Sequence, residues 1–139
     1  MKRLVPATLR GAALVLLTAF AAMAEGPTKT ITDATGRAVQ VPANPARVFA
    51  AGPPAATLLY TLKPEATVGW VRAPKPGDLP YLLPATHGLP ELGRLTGKGD
   101  TLNLEVLLTA TPDLIVDFGT VNATYVDLAN RVQDQAGLP

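Results

Sequence analysis

The sequence contains no cysteine and no serine, and only one histidine, His87. Each absence closes a class of chemistry. Without cysteine there is no disulfide, no thiolate nucleophile, no Cys–His pair and no lipid attached through an N-terminal Cys. Without serine a Ser–His–Asp hydrolase is impossible. One histidine and no cysteine do not make the multi-ligand set that a protein-held zinc or manganese requires. His87 lies between Thr86 and Gly88 in a polar stretch and reads as a solvated loop residue. A basic excess is also missing. The formal net charge is +1, which gives no electrostatic footprint for nucleic acid.

What charge there is clusters informatively. Lys2, Arg3 and Arg10 precede an uncharged apolar run, Gly11 to Ala22 (GAALVLLTAFAA), and Ala22-Met23-Ala24 supplies small residues at two spaced positions before Glu25. This is the pattern of a cleaved secretory leader, residues 1–24, and the run is short for a membrane span. Removing it leaves nine Lys and Arg against eleven Asp and Glu, so residues 25–139 carry a net charge of −2. A diffusing periplasmic protein is expected.

Alternation of apolar and polar residues on both sides of Asp33-Ala-Thr-Gly36 predicts a β-hairpin, ended by Pro42 and Pro45. Arg47 to Ala51 reads as a buried strand, broken by Gly52-Pro53-Pro54. Proline suits a first helical turn, and Ala55, Leu58, Leu59 and Leu62 follow at i, i+3, i+4, i+7, a helical stripe that Lys63-Pro64 stops. Thr67 to Val71 reads as a second strand. Strand, helix and strand make a right-handed βαβ unit. Residues 72–101 are rich in Gly and Pro and lack periodicity, with one short helical turn at Tyr81-Leu82-Leu83. Within them Gly93 to Gly99 looks superficially like a phosphate loop but has the wrong spacing. Asn103 is the expected N-cap of a helix carrying Leu104, Leu107 and Leu108, closed by Pro112. Asp113 to Phe118 reads as a third strand. Tyr125, Leu128, Ala129 and Val132 form a last helical stripe, with an Asp127–Arg131 pair on its outer side and Gly137 after its end. Leu138-Pro139 begins a further strand. The expected fold class is α/β: a Rossmann-like parallel sheet flanked by helices and preceded by a β-hairpin. The alternation stops short of a full sheet, so the chain is expected to be part of a larger protein.

Ligands of open α/β sheets gather beyond the carboxyl ends of the strands. Three ends qualify here, at Gly52-Pro53-Pro54, Trp70 to Arg72, and Phe118-Gly119. Two lead toward helix N-termini, where N–H groups and the dipole favour anions. Trp70 and Phe118 offer flat apolar contact, and Arg72 a charge-assisted hydrogen bond. The bland reading keeps Phe118 in the core and Arg72 in solvent.

Two stretches carry a family likeness. Asp33 to Pro42 (DATGRAVQVP) followed by Pro45 to Val48 (PARV), and Leu102 to Leu108 (LNLEVLL) followed by Pro112 to Val116 (PDLIV), resemble segments of the periplasmic substrate-binding proteins of iron-siderophore, haem and cobalamin ABC importers. The resemblance spans residues 29–139. It implies one lobe, the N-terminal one at 25–139, of a bilobal binding protein that closes on its cargo without turnover. It implies ligand contacts at Gly52, Pro53, Pro54, Trp70, Arg72, Phe118 and Gly119, and docking of an inner-membrane permease at Glu105. It also implies a monomer whose partners are a metal-chelate small molecule and that permease. No catalytic residue, protein-held metal, resident cofactor or nucleic-acid partner is expected. Tyr60, Tyr81 and Tyr125 stand equal as haem ligands. Two other readings compete: an exported α/β enzyme using carboxylates, with Asp117 as the best-placed acid, and a truncated product without function.

Overall fold

The computed structural model of the protein describes residues 26–95 and 104–139. The leader, the glycines Gly97 and Gly99, and the expected N-cap Asn103 lie outside the described residues.

The hairpin forms where the alternation places it. β1 (Thr28–Thr32) pairs antiparallel with β2 (Ala38–Pro42), with Thr30 opposite Gln40. Asp33 organises the turn. Its carboxylate accepts from the Thr35 and Arg37 backbone N–H groups, from the Thr35 hydroxyl at 2.7 Å and from Arg37 Nε at 2.8 Å. Desolvation pulls this carboxyl upward. The Thr35 hydroxyl, the Arg37 guanidinium and the two backbone donors outweigh it and hold Asp33 well below the ordinary carboxylate range. Gly36 takes the left-handed φ of 85° that a side chain would resist.

β3 (Val48–Ala50) and β4 (Leu114–Val116) form a parallel pair with Phe49 opposite Ile115. All three residues of β3 are buried, because helices cover both of its faces. On one face Val48 and Ala50 pack with Ala55 and Leu59 of α1 (Pro53–Leu62). On the other, Phe49 and Ala51 pack with Leu107 of α2 (Leu104–Ala110) and Val132 of α3 (Ala123–Ala136). Phe49 is wholly buried, and its truncation to alanine would cost about 3–5 kcal/mol.

α3 begins where Asn122 caps it, its side chain accepting from the Tyr125 N–H at 3.2 Å, and ends on Gly137 at φ 66°. Pro139 then accepts from the Ile115 N–H at 2.9 Å.

Four details differ from the sequence expectation. Residues 67–71 form no continuous strand, only parallel bridges from Thr67 to Val48 and from Trp70 to Glu91. The intruder is the segment 90–95. Leu92 N–H bonds the Trp70 carbonyl, and Leu95 N–H bonds the Ala51 carbonyl, so this segment spans two strand ends. It presses so closely that a Cβ on Gly69 would meet Leu92 Cδ1 at 2.5 Å and the Pro90 carbonyl at 2.7 Å. Secondly, the α1 stripe is narrower than predicted: Ala55 and Leu59 are buried, whereas Leu62 is 73% exposed. The small Ala50 and Ala66 leave room for one helical edge, not a broad face. Thirdly, the Asp127 and Arg131 side chains do not come within ion-pair distance, whereas Asp33 and Arg37 do, at 2.8 Å. Fourthly, the Tyr81–Leu83 turn resolves into two short 3-10 turns, Leu79–Tyr81 and Pro84–Thr86.

The starts of the parallel strands are locked together. Asp113 accepts from the N–H groups of Ala46 (2.8 Å) and Arg47 (3.1 Å), while its own N–H bonds the Arg47 carbonyl. Arg47 Nε donates to the Thr111 carbonyl at 2.8 Å, and its Nη2 donates to the Ala110 carbonyl. These carbonyls end α2, so the guanidinium satisfies acceptors that the helix leaves open. Thr111 itself sits at φ 47°, a left-handed conformation unusual for a β-branched residue. The two segments carrying the family likeness, PARV and PDLIV, thus bond to each other.

Candidate functional site: the strand tips and an apolar groove

Parallel pairing puts the three predicted strand ends at one end of the sheet. Ala51 N–H bonds the Val116 carbonyl at 2.8 Å, which sets Gly52 beside the exit of β4 at Asp117 and Phe118. Thr67 runs parallel to Val48, so Trp70 and Arg72 leave toward the same end. Gly52 is the buried N-cap of α1, Pro53 and Pro54 are exposed on its first turn, and Arg72 and Gly119 are exposed. Phe118 is 58% exposed, which a core residue would not be.

Trp70 is more engaged than the others. Its indole N–H donates to the Thr86 carbonyl at 3.0 Å, and its ring lies 5.8 Å from that of Tyr60 at an angle of 34°. One face of a half-buried indole is therefore committed to packing. Tyr60 accepts from the Leu83 N–H through its hydroxyl, whereas Tyr81 is 87% exposed. His87 is half-buried, with Nε2 3.1 Å from the Leu82 carbonyl.

The helix-terminus anion site expected from the sequence is weak on inspection. Pro53 and Pro54 fill the first two positions of α1, and proline has no N–H to offer. At α3 the Asn122 side chain already takes the Tyr125 donor. Arg72 is the exposed cation among the predicted contacts.

Glu105 is exposed in the first turn of α2. Arg47 pins the far end of that helix to the strand starts, so the first turn lies toward the strand tips. The predicted docking carboxylate and the predicted ligand loops therefore share one end of the molecule.

Beside the tips runs a groove of about 450 Å³ between the hairpin, β4 and α3. Val39, Val41, Phe118, Tyr125 and Leu128 contribute apolar walls, and Asp33 and Arg37 lie on its lining. Of the predicted ligand residues only Phe118 and Gly119 reach it. The sequence did signal its walls, through the Val39–Val41 alternation and the Tyr125–Val132 stripe, but such patterns read as core. Asp117 lines the same groove and accepts from the Phe118 N–H at 2.8 Å. Among the described residues no three His, Asp or Glu side chains gather as metal ligands, and no helix is long and apolar enough to cross a membrane.

Two solved structures are similar to this chain in fold. An ABC transporter solute binding protein from Sulfurospirillum deleyianum DSM 6946 superposes with a TM-score of 0.62 at 24% identity, covering 74% of this chain and 33% of that one. A periplasmic solute binding protein from Veillonella parvula DSM 2008 gives 0.60 at 17% identity, covering 81% and 34%. No family profile and no curated protein matches the chain. The fold is therefore that of one lobe of a bilobal periplasmic solute-binding protein, and the chain spans about a third of the length of these structures.

Proposed function

We propose that the chain is the N-terminal lobe, residues 25–139, of the substrate-binding component of an ABC importer, exported to the periplasm by the leader at 1–24. It presents Gly52, Pro53, Pro54, Trp70, Arg72, Phe118 and Gly119 to a bulky metal complex that arrives already chelated. An iron-siderophore fits best, with haem and cobalamin as the other members of the class. Glu105, at the same end, docks an inner-membrane permease. The observation that supports this reading is the parallel bonding of Thr67 to Val48 and of Ala51 to Val116, because it turns the three strand ends the same way.

The chemistry of the site supports binding without turnover. Asp33, the acid that shares the groove with Asp117, has its carboxylate taken up by four donors of the hairpin turn, which commits it to holding that turn. A single lobe covers one side of its cargo, so affinity is expected to be modest.

Trp70 is the only tryptophan, so its emission reports on one strand tip. Titration of the protein with a ferric siderophore, haem and cobalamin is expected to quench it saturably with one of the three. An unchanged spectrum with all three overturns the proposal.

A further inference from the structure

The hairpin and the parallel sheet are bonded as separate pieces. At one end of the hairpin Asp33 N–H donates to the Arg37 carbonyl at 3.0 Å, and at the other Ala43 N–H donates to the Pro27 carbonyl at 2.7 Å. The β1–β2 ladder runs between them. The sheet takes hold of the chain just beyond. The Pro45 carbonyl accepts from Lys63 Nζ at 2.8 Å, and Ala46 N–H donates to Asp113. Asn44 is thus the joint between the two pieces. It precedes proline, so its backbone is confined to extended conformations, which limits the joint to a modest swing.

Far from that joint, the turn reaches α3. Arg37 Nη1 donates to Asn130 Oδ1 at 2.8 Å, and among the described residues this is the hydrogen bond that joins the hairpin to the helix. Asp33 prepares it. Its Oδ2 takes Arg37 Nε at 2.8 Å, which fixes the plane of the guanidinium and leaves another N–H for Asn130. Apolar anchorage is slight beside that of the sheet. Val39 and Val41 are buried, but every residue of β1 is exposed and no hairpin residue joins the two buried clusters around β3.

We infer that the hairpin is a strap, hinged at Asn44 and latched onto α3 by Arg37 and Asn130, which swings open as a unit while the parallel sheet stays folded. The ladder sets the latch roughly 15–20 Å from the joint, so a small rotation there moves the turn clear of the helix. Opening withdraws the wall that Val39 and Val41 give to the groove. The strap stands or falls independently of the transport reading.

A chain without cysteine takes two spin labels without competing sites, at Thr32→Cys on β1 and Gln135→Cys on α3, both exposed. Their separation, measured by double electron–electron resonance, is expected to show one main population in the parent pair. Arg37→Lys keeps the charge but cannot hold Asp33 and Asn130 together. That variant and Asn130→Ala should each raise the ratio of a longer to the shorter distance about tenfold, the worth of one charge-assisted hydrogen bond. Exchange at the Asp33, Ala43 and Ala51 amides should stay slow in both, because hairpin and sheet remain intact. An unchanged distance distribution in both variants overturns the inference. So do two comparable populations already in the parent, or a longer distance that appears only with faster exchange at those amides, since the hairpin would then unravel instead of swinging.

Discussion

The two ends of the parallel sheet are built on opposite plans. At the starts of β3 and β4, Asp113 gathers two backbone donors and Arg47 two backbone acceptors, which ties the two strand starts to each other and to the end of α2. At the tips, a large aromatic, a glycine and a cation are left exposed in Phe118, Gly119 and Arg72, and two prolines strip donors from the helix that follows β3. On the proposed reading, stability and binding belong to different ends. A sheet fastened at its base by side chains can spare the exposed side chains at its other end for a ligand.

That contrast is open to attack. The largest effect is expected from Asp113→Ala, which strands the Ala46 and Arg47 N–H groups. Hydrogen bonds to a charged group are worth about 1.5–3 kcal/mol, and a loss of that size should appear in denaturant unfolding. A loss below about 0.5 kcal/mol would show the base is not fastened in this way. Thr67→Val should act in the opposite direction. The Thr67 hydroxyl is buried without a partner, so its removal is expected to stabilise the protein by about 1 kcal/mol, visible as a higher melting temperature. At the tips, Phe118→Ala should change stability by no more than about 0.5 kcal/mol while reducing the quenching of Trp70 by cargo. A clear fall in stability would instead make Phe118 part of the core. The smallest effect is expected at the hairpin. Asp33 has a depressed pKa, so its contribution is complete above the ordinary carboxylate range, near pH 4, and is lost as the pH falls below that range toward the folded value. Acid titration should loosen the hairpin turn of the wild type only well below the ordinary carboxylate range, with that response lost in Asp33→Asn.

The sequence was legible where structure is local. The Asp33 turn, the proline start of α1 and the Gly137 end all depend on neighbours within a few residues, and each is where its residue type puts it. The strand at 67–71 failed for the converse reason. Its final partner, Leu92, comes from an aperiodic loop, and a backbone contact across twenty residues leaves no pattern in the chain. The same holds for Arg47 and Asp113, whose segments were noticed for their likeness to a family but not for their bonds to each other. At the site, the three strand tips could be named because any parallel βαβ arrangement exposes them. The groove could not, because its walls come from Val39, Val116 and Leu128, and only folding brings these together. The helix-start anion site was overestimated from the sequence, because two consecutive prolines at a helix start remove donors that a dipole argument counts on.

One residue at the base of the sheet sets an exacting rule for its neighbour. Beside the left-handed Thr111, the carbonyls of Ala110 and Thr111 both accept from Arg47, whose guanidinium is a flat fork. A lysine carries equal charge but only a point to spend it on, so it would hold one carbonyl and release the other. Swapping Arg47 for its nearest chemical relative would thus be no gentle change. It would free the helix end to rewind toward a right-handed turn and carry the first residues of β4 with it.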